Sequence, residues 1–188
     1  MIENSRRPLW SLAAPGLAAL LGAFLLTSLV GPTFTAVRRD LHGDSGLVLW
    51  SLVAFVLPAL LTAAAGVVLG RRWPAATLLP GVALMVLGLL PMAFAPSVAV
   101  LLVGRVLTGL GAGAVIATAA LLVVRSKVAA AVLSFAILIA LILGPVSGLV
   151  LTQAFSWRLV FILSVVVSIV VLLLAVVNEI VVLASRRS

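Results

Sequence analysis

Residues 98–124 read VAVLLVGRVLTGLGAGAVIATAALLVV, with Arg105 as their one charged side chain. A helix needs roughly 20 apolar residues to cross a hydrocarbon core about 30 Å thick. This run is long enough and is closed on both sides by breakers, Ala95-Pro96-Ser97 before it and Arg125-Ser126-Lys127 after it. It therefore reads as a membrane-spanning helix. Five similar runs surround it, so the expected spans cover about 11–36, 46–70, 74–95, 98–124, 128–153 and 158–183. The other breaks are Arg38-Arg39-Asp40-Leu41-His42-Gly43-Asp44, Arg71-Arg72-Trp73-Pro74 and Gln153-Ala154-Phe155-Ser156-Trp157-Arg158.

Composition agrees. Of 188 residues, 65% are hydrophobic and 9% charged, whereas soluble domains run about 45–50% apolar and about 25% charged. The fold class expected is all-α: a polytopic membrane protein with six transmembrane helices in one bundle (11–183), a short segment before it (1–10) and a basic tail after it (184–188). The length admits about six crossings and excludes twelve. Arg6-Arg7 ahead of an apolar run resemble the start of a signal peptide, but the run is too long for one, so it reads as a retained span.

The net charge of +8 would suggest nucleic acid in a soluble chain. Here the cations punctuate the apolar runs and report topology instead, and no nucleic-acid partner is expected. Arg6, Arg7, Arg71, Arg72, Arg125, Lys127, Arg186 and Arg187, eight of the twelve cations, fall on one side; Arg38, Arg39 and Arg158 fall on the other. The excess of Lys and Arg on cytoplasmic loops then puts both termini in the cytoplasm. All four tryptophans, Trp10, Trp50, Trp73 and Trp157, sit near span ends, as interfacial anchors do. Arg outnumbers Lys eleven to one among these cations, a bias that suggests a GC-rich bacterium and hence its inner membrane.

Chemistry-bearing residues are scarce. There is no cysteine and a single histidine, His42, so no disulfide, thiolate site or metal cluster is expected, no cofactor, and no enzyme. The glycines at 104, 109, 111 and 113 do not form a phosphate loop, because no strand precedes them and no Lys-Ser/Thr pair closes the run. In a span, Gly109 and Gly113 make a small-residue face that lets backbones approach. Arg105 costs about 2.5–3.5 kcal/mol at mid-membrane on the insertion scale, so it should either snorkel toward the Ser97 end of its helix or, as the favoured reading, face the protein interior or a watery cavity. In span 5, Pro145 removes a helix donor, and Gly144 and Gly148 share a face. In span 1, Thr27, Gly31 and Thr35 share a face, with Ser28 nearby and Gly31-Pro32 interrupting the helix. A substrate cavity, if present, is expected between spans 1, 4 and 5, lined by Thr27, Ser28, Gly31, Thr35, Arg105 and the bend at Pro145.

These features resemble the N-terminal half of a major facilitator superfamily transporter, nearest its drug:proton antiporter branch. Arg105 through Gly113 is similar to that family's span-4 motif, and Gly144-Pro145-x-x-Gly148 to its span-5 antiporter motif. Ser156-Trp157-Arg158-Leu159-Val160-Phe161 resembles the opening of its span 6. Gly66-Val67-Val68-Leu69-Gly70-Arg71-Arg72 resembles its cytoplasmic loop between spans 2 and 3, and Asp40-Leu41 followed by Trp50 resembles the stretch between spans 1 and 2. Two departures stand out. The 2–3 loop lacks the family's usual Asp, and Leu26 occupies the place where the antiporter branch often carries an acid.

Those departures bear on function. The acids are Glu3, Asp40, Asp44 and Glu179, and none falls in the middle of a span. A membrane proton relay needs a titrating side chain inside the protein, so proton-coupled antiport by this chain alone is disfavoured. Asp40 and Asp44 beside Arg38 and Arg39 read as a solvated loop cluster. What the resemblance implies is a half-transporter for a lipophilic molecule, paired with a second copy or another six-helix half. The alternative is a non-transporting accessory subunit of a larger membrane complex.

Overall fold

The computed structural model describes residues 13–44, 46–124 and 126–185; the expected terminal segments lie largely outside them. All regular structure among the described residues is helical. Helix α1 covers Ala13–Thr27, α2 Pro32–Asp40, α3 Leu47–Arg72, α4 Pro74–Ala93, α5 Val98–Val123, α6 Lys127–Ala154 and α7 Trp157–Ser185. Helices α3 to α7 are each long and apolar enough to cross a bilayer, whereas α1 is a shorter apolar helix.

The first expected span is two helices rather than one. Gly31 has φ 77° and ψ −134°, a conformation closed to residues with a Cβ. Pro32 lacks an N–H, disfavours the helical region for the residue before it, and is well suited to open a new helix. So α1 stops at Thr27 and α2 starts at Pro32. The other boundaries also have local causes. Arg71 and Arg72 stay helical at the end of α3, two residues past the expected end, and Trp73 alone links it to Pro74 at the start of α4. Ser97 caps α5 by accepting from the Val100 N–H at 3.5 Å, and Ser126 caps α6 by accepting from that of Ala129 at 3.3 Å. These are the side-chain oxygens that helix starts favour.

Helix α5 is the centre of the bundle. It packs against α3, α4 and α1; α6 lies on α1, and α7 on α4 and α1. Half of the apolar stretches of α4 and α5 is buried, against 11% for α3 and α6. Lipid tails are as apolar as leucine, so burial of apolar area does not drive these helices together and close packing must do it. The glycine run of α5 supplies that closeness on more than one side. Gly109 and Gly113 abut the backbone oxygens of Phe55 and Ala59 in α3, while Gly104 and Gly111 abut those of Gly88 and Gly81 in α4.

Replacing Gly111 by Ala should therefore disrupt the bundle. Its Cβ would strike the Gly81 carbonyl oxygen and lie 2.9 Å from the Met85 backbone nitrogen, neither of which can swing aside. Overpacking of this kind costs about 1–3 kcal/mol. Gly16→Ala, where nothing lies within 4 Å, should leave thermal stability in detergent unchanged.

Candidate functional site at the break in the first span

A helix leaves its last four carbonyls without intrahelical donors, and hydrocarbon offers no water to replace them. The break after α1 creates that situation. The carbonyl of Leu25, in the last turn of α1, accepts Nη1 of Arg105 at 2.6 Å and Oγ of Ser28 at 3.0 Å. Arg105 is 1% exposed, in the interior of the bundle. Its guanidinium carbon lies 5.5 Å from the centroid of the Phe55 ring, so one cation joins α1, α3 and α5. The cation sits at the negative end of the α1 dipole and near a π face. Both offset part of its burial cost. Its Nε has no hydrogen-bond partner, and no carboxylate among the described residues pairs with it.

A second orphan carbonyl lies opposite, in α6. Pro145 cannot donate to the carbonyl four residues earlier, which is that of Leu141. Thr27 Oγ1, from α1, donates to that oxygen at 2.9 Å. Gly144 and Gly148 make room for this approach: a Cβ on the first would strike Thr27 Oγ1, and on the second Thr33 Oγ1. Helix α6 continues through Pro145, and Thr152 Oγ1 lies 3.5 Å from Thr33 Oγ1. The helix break and the proline are thus stitched to each other by hydroxyls and glycines.

The residues expected to line one cavity divide into two groups. Thr27, Ser28 and Arg105 are engaged in close packing around the break, beside Pro145. Gly31 is exposed, with open space where a Cβ would point. Thr35 lines a crevice of about 440 Å³ with Ala36, Arg39, Thr152 and Gln153, between α2 and α6. An apolar groove of about 430 Å³ runs between α1, α6 and α7, past Phe24, Leu151 and Val160. The serines on its wall, Ser147 and Ser164, donate to their own helices, to the Gly144 and Val160 carbonyls.

At the end of the bundle that carries Asp40, the expected solvated cluster is rearranged. Asp40 Oδ2 pairs with Arg158 Nη1 at 2.7 Å and accepts the Trp157 indole N–H at 3.1 Å. Arg158 Nη2 donates to the Ala95 carbonyl at 3.3 Å, and its guanidinium lies 4.5 Å from the Trp157 ring centroid. This clasp joins α2, α7 and the end of α4. Trp157 is accordingly 4% exposed, whereas Trp50 and Trp73 are 62% and 68% exposed and suit an interfacial anchor; Trp10 lies outside the described residues. No local pattern signals the clasp, because its members are far apart in sequence. At the opposite end, Gly66 packs on Ala114 and Ala117, and Gly70 on Thr118 and Leu121. Arg71 is exposed and Arg72 closes α3.

Five helices long and apolar enough to cross a bilayer, packed with a shorter broken one over a buried cation, define a multi-pass membrane protein. The family model described as Major Facilitator Superfamily matches residues 16–183, and the chain belongs to that family of membrane transporters. No curated protein matches the chain.

The two stitched carbonyls generate a non-additive mutation pair. Thr27→Val removes the donor to Leu141 and should cost about 1 kcal/mol, the usual scale for hydrogen bonds between membrane helices. Pro145→Ala supplies a backbone N–H to the same oxygen, so Thr27→Val should cost clearly less in that background. Thermal denaturation of the four proteins of this cycle measures the difference.

Proposed function

We propose that the protein works as a six-span half of a two-half transporter that moves a lipophilic small molecule. The second half would be another copy of this chain or a different six-helix half. The observation that carries this reading is the broken first span. Interrupted backbone at membrane depth is tolerated only where protein buries it or a cavity uses it, and transporters build substrate sites from such discontinuous helices. The two halves of this superfamily are parallel repeats about an axis along the membrane normal. An even number of crossings gives every copy the same orientation, so a twofold pair rebuilds the twelve-helix arrangement. Both termini would then face the cytoplasm of a bacterium, with the basic loops inside.

Rocking of one half against the other would expose the site alternately to each side. The motifs most resemble those of the drug:proton antiporters, but Leu26 stands where that branch often has an acid. A proton-coupling carboxylate would therefore come only from a different partner half, since a second copy of this chain lacks it too. The competing reading, an accessory subunit docked on a larger membrane complex, draws on the same missing acids.

Reconstitution into liposomes, with native mass spectrometry of gently extracted protein, tests the proposal. A mass of two six-helix halves together with flux of a lipophilic fluorescent dye is the expected result. Fixed recovery with an unrelated membrane enzyme, without flux, would make the chain an accessory subunit. Arg105→Met should abolish flux while the protein still extracts as the same assembly. An unaltered flux rate would remove Arg105 from the transport machinery.

A further inference from the structure

The crevice between α2 and α6 contains the makings of a charge-selective site. Its polar lining residues are Thr35, Arg39, Thr152 and Gln153. No carboxylate among the described residues lines it. The nearest acid in sequence, Asp40, is engaged by Arg158 and Trp157. Arg38 donates from Nε to the Gly43 carbonyl at 3.4 Å. The Arg39 side chain makes no hydrogen bond or ion pair with any other described residue. Arginine stays charged at any working pH and presents a planar fork that fits phosphate and carboxylate oxygens. The Thr35 hydroxyl and the Gln153 amide add neutral donors, while the Thr152 hydroxyl donates to Thr33.

We propose that this crevice binds the anionic head of an amphiphile, a phosphate or carboxylate, with Arg39 as its counter-charge. The proposal rests on the transport reading and narrows it: the cargo is a lipophilic anion rather than a lipophilic cation. A cation would meet Arg39 with no acid to offset it. An anion gains a charge-assisted hydrogen bond, about twice as strong as a neutral one. Val30, two residues before α2, and Phe155, the residue after α6, are exposed apolar side chains flanking the two elements that form the crevice.

Native mass spectrometry of the protein in a nonionic detergent, titrated with dodecyl phosphate or dodecyltrimethylammonium, reads the preference directly. Dodecyl phosphate should be retained at least about tenfold better, and Arg39→Gln should remove about that factor. Thr35→Val should weaken retention by about fivefold, the scale of one neutral hydrogen bond. Arg38→Gln should leave it unchanged. Equal retention of both amphiphiles, or undiminished retention by Arg39→Gln, overturns the proposal. Competition by inorganic phosphate identifies a free anion as sufficient, and competition by phosphatidylglycerol identifies a lipid headgroup; either supports the anion site. Flux of dodecyl phosphate in liposomes separates this proposal from the transport reading. Arg39-dependent binding without flux keeps the site and defeats transport. Flux that ignores Arg39 does the reverse.

Discussion

A backbone carbonyl inside a bilayer has to find its donor within the protein, and the rest of this structure is arranged around two that lost theirs. The break at Gly31-Pro32 frees the Leu25 carbonyl, and Pro145 frees that of Leu141. Arg105 answers the first from α5, and Thr27 answers the second from α1. Each answer fixes one helix against another. The position of α1 is thereby set from both sides, and α2 is free to leave at its own angle through a residue that only glycine can be.

The glycines follow from the same requirement. A 2.9 Å bond from the short side chain of Thr27 to the backbone of α6 needs helices that nearly touch. Gly22 lies against Ala112 across the α1–α5 contact, and Gly144 and Gly148 receive Thr27 and Thr33 across the contact of α6 with α1 and α2. On the far side of α5 the glycines at 104, 109, 111 and 113 bring α3 and α4 equally close. Dispersion between backbones in contact, rather than removal of apolar area from water, is the attraction available among lipid tails.

Charge is placed with equal economy. One cation is buried at the break and lacks a carboxylate among the described residues. Another, Arg158, is neutralised by Asp40 in a half-exposed clasp, where screening keeps an ion pair's contribution small. The indole N–H and the Ala95 carbonyl give that clasp its direction. Arg39 lines the crevice between α2 and α6 with no side-chain partner among the described residues, and the proposed anion site rests on that.

The sequence by itself determined the helices and most of their ends. Unbroken apolar runs require crossing segments, Ala95-Pro96-Ser97, Arg125-Ser126-Lys127 and Arg71-Arg72-Trp73-Pro74 break them, and Gly31-Pro32 and Pro145 interrupt backbone pairing wherever they occur. It also marked Arg105 as a residue too costly to leave in lipid. Only the tertiary structure decided which carbonyl each displaced donor would serve, and that Asp40 would turn to Arg158 and Trp157 rather than to its neighbours Arg38 and Arg39. It also divided the expected cavity residues between a packed break and an open crevice. The reason is physical. In helices that are apolar all round, hydropathy carries no record of which face turns inward. Pairs such as Thr27 with Leu141, or Asp40 with Arg158, are chosen by how closely the glycine faces let the backbones come together.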